Sequence, residues 1–361
     1  MATCALLDLM VRAEKTGGMR TYSNPAARTW SSGATVTSVR DFHRTLPGYA
    51  PTPLVDLPRA ARELGVARVV VKDESARLGL PAFKMLGASW ACHQVIERHP
   101  GAELVSATDG NHGRAIARMA THLGTSATVF IPGGMRERAA ARIESEEATL
   151  VRVDGHYDDA VRAAAEHAAA DASRELVQDT AWEGYEQVPT WTVQGYETLS
   201  EELDEQLGVQ PDLVVVPSGV GSLAQAVIAH YRQAGTEGRT RILVVDPDTG
   251  ACTVESLAAG ESVTVGTGES VMAGLNCPTL SSLAWPVLRE GCDAAVTVTD
   301  EEALRASDDL LAQGVSSGPS GAATYAGVRA ALRDADLWRD LDLPDDATVV
   351  LLSTEGRQDD E

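Results

Sequence analysis

From about residue 68 onward, short runs of branched apolar residues alternate with longer stretches whose apolar positions recur every three or four residues. The short runs predict buried strands at 68–73, 103–107, 127–131, 149–153, 213–217, 242–246, 295–298 and 348–353, with a weaker one before Asp179. The longer stretches predict amphipathic helices at 85–98, 113–123, 157–173, 193–207, 223–233 and 301–313. Alternation of this kind belongs to α/β architecture with largely parallel sheets. Glycine and proline gather at the strand ends, where α/β proteins carry their ligand loops. The first fifty residues show little periodicity and read as an arm or covering segment. The acidic end, 358–361, reads as frayed.

Composition narrows the function classes. The chain has 361 residues, 44% of them hydrophobic, which is enough for two domains or one large body with an inserted lobe. A formal charge of −22 opposes non-specific attraction to nucleic acid or to an anionic membrane face. No apolar run approaches the roughly 20 residues that span a bilayer. The start carries Asp8 and no basic leader, so it reads poorly as a signal peptide. Five scattered cysteines without a Cys-x-x-Cys fit reduced thiols in the cytoplasm rather than a disulfide framework or structural zinc. The histidines show no metal-ligand spacing. Only three lysines occur, Lys15, Lys72 and Lys84, so any chemistry that needs an amine has three places to go.

Five segments carry candidate chemistry. In Lys72-Asp-Glu-Ser running to Ala82-Phe-Lys84-Met-Leu-Gly87, a lysine opens a helix among apolar neighbours. Both the helix N-terminus and the apolar setting disfavour its charge and predict a lowered pKa and a nucleophilic amine suited to Schiff-base chemistry; a solvated surface lysine is the plain alternative. In Ser106-Ala-Thr-Asp-Gly-Asn-His-Gly113, at a strand-to-helix junction, backbone amides can grip an anion. There Asn111 offers an amide and Asp109 an acid or base; a polar turn is the alternative. In Pro217-Ser-Gly-Val-Gly-Ser222, amides converge on a helix N-terminus as a phosphate site needs. Gly219, Gly221 and Ala224 also satisfy a dinucleotide fingerprint, with Asp246 ending the next strand as a ribose acid. Gln178-Asp-Thr-Ala-Trp-Glu-Gly-Tyr185 sets Asp179 and Glu183 among aromatics, Glu183 reading as rim polarity. Leu351-Leu-Ser-Thr-Glu-Gly356 runs a strand out into two hydroxyls.

Taken in order, these segments, with Val188-Pro-Thr-Trp-Thr-Val-Gln-Gly-Tyr196 and Met272-Ala-Gly-Leu275, resemble the fold-type II pyridoxal-phosphate enzymes, and within them the diaminopropionate ammonia-lyases. The likeness spans roughly residues 40–357. It implies an α/β fold of two open twisted parallel-sheet domains, like the tryptophan synthase β subunit, with pyridoxal 5'-phosphate in the cleft between them. The large domain would comprise 1–102 and 197–361, the small one 103–196. Lys84 would hold the cofactor through a Schiff base and Asn111 would bond the ring hydroxyl. Gly219, Val220, Gly221 and Ser222 would cradle the phosphate. Ser353 or Thr354 would face the ring nitrogen, Ser353 being preferred as the first polar residue after the strand. Asp109 would act as acid or base near the substrate Cα, and Asp179 would hold the departing amine or assist its departure. Positions 78, 81 and 319, an aromatic, an amide and a glutamate in the family pattern, are Leu78, Pro81 and Pro319 here.

The expected activity is α,β-elimination of ammonia from a small amino acid, foremost 2,3-diaminopropionate, giving pyruvate and ammonia in a cytoplasmic homodimer. The alternatives are another β-elimination or β-replacement enzyme, acting on serine, threonine or a specialised-metabolite precursor, and more remotely a nicotinamide oxidoreductase built on 219–224. A non-catalytic descendant would have no use for Lys84, Asp109 and Asp179. No metal, membrane or nucleic-acid partner is expected.

Overall fold

The computed structural model describes residues 18–33, 38–108, 110–233 and 240–358. Among these described residues, eleven strands form two sheets. The larger contains β1 (Thr21–Ser23), β2 (Leu54–Asp56), β3 (Arg68–Asp73), β8 (Leu213–Pro217), β9 (Arg241–Pro247), β10 (Ala294–Val298) and β11 (Thr348–Ser353) in the order β1-β10-β9-β8-β11-β3-β2. Its five inner strands are parallel, and the short edge strands β1 and β2 run antiparallel to their neighbours. The smaller is fully parallel and orders β4 (Glu103–Ala107), β5 (Ala127–Pro132), β6 (Thr149–Val153) and β7 (Arg174–Leu176) as β6-β5-β4-β7. Strands covered by helices on both faces must be apolar at every position rather than alternating. Val69-Val-Val71, Leu213-Val-Val-Val216 and Val349-Val-Leu-Leu352 are accordingly buried throughout.

The eight strands expected from the pattern all form, within one residue of their expected ends. The weaker one is β7. The expected arm contributes β1, too short for any period to show, and residues 1–17 lie outside the described residues, as do 359–361 of the expected frayed end. All four strands of the small sheet fall within 103–196, while the expected boundary at 196/197 falls inside the continuous helix Gln187–Leu207. That helix packs on Lys84–Arg98 at a close crossing. A Cβ on Gly195 would lie 2.4 Å from the Leu86 carbonyl oxygen and 2.7 Å from Gly87 Cα, so only glycine allows this approach.

A buried charge network anchors the chain between β3 and Lys84. Lys72 Nζ donates to Glu202 Oε2 at 2.8 Å, and Arg77 bonds Glu74 at 2.7 Å and Glu202 at 2.8 Å, all four side chains fully buried. Thr52 completes it through Oγ1 to Glu74 and its carbonyl to Lys72. Two cations and two anions balance, so the cluster is sound only while complete. Replacing Arg77 by methionine leaves two buried carboxylates with Lys72 as their one remaining cation, and we expect a loss of about 3–5 kcal/mol, read from urea unfolding of the folded chain.

Candidate functional site

In open α/β sheets, ligands bind outside the carboxyl ends of the strands, where the strand order reverses. The larger sheet reverses between β8, which continues to β9 and β10, and β11, which neighbours β3. From these three adjacent ends leave the glycine loop after Pro217, the hydroxyl pair Ser353-Thr354, and the segment leading to Lys84. Across from them, β4 and β7 are neighbours in the small sheet, so the loop to Asn111 and the loop with Asp179 leave side by side. One cleft is therefore lined by Lys84, Asn111, Asp179, Gly219, Val220, Gly221, Ser222 and Thr354.

Lys84 is the first residue of Lys84–Arg98, with Nζ 5.2 Å from the Phe83 ring centroid and 2.5 Å from Asp179 Oδ2. The expected lowering of its pKa is overturned here. Burial does disfavour the charge, but the Asp179 carboxylate outweighs it, and Lys84 is held above the ordinary lysine range. The partner lies 95 residues away, beyond any local reading of the segment. For Asp179, burial opposes ionisation and Lys84 reverses the balance, so its carboxyl sits below the usual range.

The phosphate-type loop takes its shape from Gly221, which ends it with φ +88° at the cap of Ser222–Tyr231. The first amides of that helix have no intrahelical acceptor and point out of its N-terminus. Ser222 Oγ donates to the Asp179 carbonyl oxygen at 2.7 Å, tying this loop to the opposite wall. A Cβ at Gly219 would lie 2.7 Å from the Gly274 carbonyl oxygen, so the bare backbone there forms one side of a narrow cradle. A terminal phosphate fits this bare, amide-rich cradle, and an aldehyde-bearing ring fits between Lys84 and Asn111. The donor set thus suits pyridoxal phosphate.

The two hydroxyls part company. Thr354 lines the cleft, whereas the preferred Ser353 turns its Oγ to Ser317 Oγ at 2.7 Å and is absent from the cleft wall. Asp109 falls outside the described residues. Glu183 is exposed and does not line the cleft. Asp246 is wholly buried, and its Oδ2 accepts from the Thr253 and Val254 amides. Its full burial withholds the carboxylate that a dinucleotide reading would need for a ribose. Pro319 opens the helix Pro319–Arg333 at the position where proline is favoured. Leu78 adopts φ +51°, left-handed for a branched side chain, with its side chain buried.

Three residues of the site carry no role in the sequence reading. Glu355 lies on the cleft wall and accepts from Asn111 Nδ2 at 2.8 Å; burial raises its pKa. Tyr196, brought against Lys84 by the Gly195 crossing, is buried with its hydroxyl unpartnered among the described residues. His112 is buried, its Nε2 bonded to the Val177 carbonyl oxygen at 3.1 Å and its Nδ1 3.8 Å from Asp179 Oδ2. Glu355 and Tyr196 stand inside quoted motifs, so their motif membership was the available signal.

A model of the pyridoxal-phosphate dependent enzyme family matches residues 45–355. Diaminopropionate ammonia-lyase of Escherichia coli (strain K12) is 36% identical over 352 residues, covering 89% of this chain and 88% of that protein. The crystal structure of the Escherichia coli enzyme in complex with an aminoacrylate-PLP azomethine reaction intermediate superposes with a TM-score of 0.85 at 33% identity, covering 94% of each chain. Its complex with D-serine gives 0.86 at 32% identity, again over 94% of each.

Proposed function

The chain belongs to the pyridoxal-phosphate-dependent enzymes, and within them to the diaminopropionate ammonia-lyases, and from that premise we propose that it eliminates ammonia from 2,3-diaminopropionate to give pyruvate and ammonia. Pyridoxal phosphate, when bound, supplies an aldehyde for amines and a conjugated ring that delocalises charge from Cα. On this reading Lys84 would be the amine that holds it, Asn111 would bond the ring hydroxyl, the amides of 219–222 would take the phosphate, and Thr354 would serve the ring nitrogen. A neutral hydroxyl at that position would supply no charge to the ring nitrogen, which would favour elimination over transamination. Lys84 and Asp109 are the bases for the Cα proton.

The observation that carries the reading is Asp179, a buried carboxylate kept ionised by an ammonium 2.5 Å away. Once Lys84 is engaged elsewhere, the same oxygen faces the cleft as a receptor for a second ammonium, the β-amine of the substrate. A serine hydroxyl offers it no charge. Scattered thiols support a cytoplasmic location, and family likeness supports a homodimer; among the described residues no helix is long and apolar enough to cross a membrane.

The test is a panel of D- and L-2,3-diaminopropionate, D- and L-serine and L-threonine, scored for ammonia and keto-acid release. Diaminopropionate is expected to lead by tenfold or more in kcat/KM. Faster turnover of serine or threonine would make the chain a hydroxyamino-acid dehydratase instead.

A further inference from the structure

The pairing that keeps Asp179 ionised creates a difficulty for Lys84. An ammonium cannot attack an aldehyde; the nitrogen must first lose a proton and regain its lone pair. It sits in a largely buried position against a carboxylate that favours the charged form. The proton needs an acceptor nearby, and the carboxylate alone is a poor one.

His112 supplies it. The Val177 carbonyl oxygen can only accept, so Nε2 carries the proton that bonds it at 3.1 Å. In the neutral ring Nδ1 then bears a lone pair. This nitrogen is buried and has no hydrogen-bond partner among the described residues, in a side chain only 4% exposed. Orphaned buried polar atoms are rare and call for an explanation. Nδ1 lies 3.8 Å from Asp179 Oδ2, the same oxygen that Lys84 Nζ holds at 2.5 Å. A lone pair facing a carboxylate is an arrangement completed by one more proton, and a movement of about 1 Å brings the two to hydrogen-bond distance.

We propose that His112 Nδ1 takes the proton of Lys84 through Asp179 Oδ2, making His112 the residue that frees the lysine amine for covalent attachment of the cofactor. This rests on the functional reading of Lys84 given above. The step is a proton transfer only. An N–H bond at Nζ breaks and leaves its pair on nitrogen. An O–H bond at Oδ2 forms and breaks in turn, and an N–H bond forms at Nδ1. Lysine ammonium and neutral imidazole become lysine amine and imidazolium, and Asp179 ends ionised between them. The transfer also answers a charge problem, since imidazolium replaces ammonium as the cation beside a buried carboxylate. Burial and the Lys84 charge depress His112 while Lys84 is protonated; once that charge is gone, Asp179 favours the imidazolium.

The other titratable groups around the trio do not compete for this role. Tyr196, on the helix Gln187–Leu207, is a phenol pushed up by burial, and Tyr185, in the loop before that helix, is pushed up likewise. Cys277 faces Lys84 from the segment after Leu275. Glu355, after β11, is held by Asn111.

His112→Gln is the discriminating variant, because a glutamine amide can keep the donor to the Val177 carbonyl while replacing the basic nitrogen Nδ1 with groups that take up no proton in this pH range. Apoprotein is mixed with pyridoxal phosphate in a stopped-flow instrument between pH 6 and 10. Formation of the Lys84 adduct is followed by absorbance and by reductive trapping. We expect loading at pH 7 to slow at least tenfold in His112→Gln, and the gap to narrow as pH rises toward 10, where hydroxide removes the proton without the imidazole. Wild-type loading at pH 7, or a slowing equal at every pH, overturns the proposal. If the variant does not fold, nitrogen-15 NMR of the wild-type imidazole decides. Nδ1 unprotonated in apoprotein and protonated after loading supports the relay, and any other pair of states rejects it. Failure of the wild type to form any adduct at Lys84 would refute the functional reading itself, a result distinct from either outcome for His112.

Discussion

Lys84→Ala is expected to be colourless and to lose kcat/KM for diaminopropionate by about 10⁴-fold or more, beyond what an acid–base group alone contributes. The described residues offer no substitute amine. Lys72 is fully buried with its Nζ committed to Glu202, Gln206 and the Thr52 carbonyl oxygen. Lys84 alone among the described lysines lines the cleft, at the mouth of the helix whose neighbours are the glycine loop and Asn111. Removing the lysine leaves the buried Asp179 carboxylate without its cation, a cost of about 3–5 kcal/mol, so folding of the variant is verified by circular dichroism alongside the assay. Activity and absorbance near those of the wild type would move the chemistry to another residue.

Asp179→Asn has the second-largest expected effect, and its signature is selectivity. An amide keeps the shape but cannot balance an ammonium. Breaking a buried charge pair from one side costs about 3–5 kcal/mol, which corresponds to roughly 10²–10³-fold or more in kcat/KM. That loss belongs to the substrate whose leaving group is an ammonium. Elimination from serine, whose hydroxyl has no charge to balance, should fall by less than tenfold, so the ratio of the two rates narrows or inverts. Parallel steady-state assays on both substrates give this directly. Equal losses on both would show Asp179 to be a framework residue.

The contrast between strands and connecting chain shows what the sequence made legible. Inner strands such as Leu213–Pro217 and Thr348–Ser353 are buried on both faces, so they are written as unbroken branched apolar runs. Edge strands of three residues are too short to show a clear period, so β1 and β2 were invisible and β7 was only weakly legible. The helix Pro319–Arg333 was hidden for the opposite cause. It is buried on nearly every side, so its small residues show no amphipathic face, and its glycines and opening proline read as a loop. Glu137–Glu144 escaped because only Ala140 and Ile143 face inward.

The same division holds at the site. Motifs placed Lys84, Asn111 and the 219–222 loop at strand-to-helix junctions because those positions are set by local chain geometry. The charge state of Lys84 was read with the wrong sign, because it depends on Asp179 across the cleft and no local rule reports a contact at that separation. Of the pair Ser353 and Thr354, only Thr354 lines the cleft, because the Ser353 Oγ is turned to Ser317, a partner 36 residues away that the motif does not report. His112 lay in plain view in its motif, but only the Val177 carbonyl fixes its tautomer and exposes Nδ1 as unpartnered.

The most direct test is to load the protein with pyridoxal phosphate, reduce it with borohydride and map the modified peptide by mass spectrometry. The account predicts one phosphopyridoxyl group per chain, on Lys84. Modification of Lys72 or Lys15 instead, or an unmodified Lys84 peptide from a fully loaded sample, would contradict it.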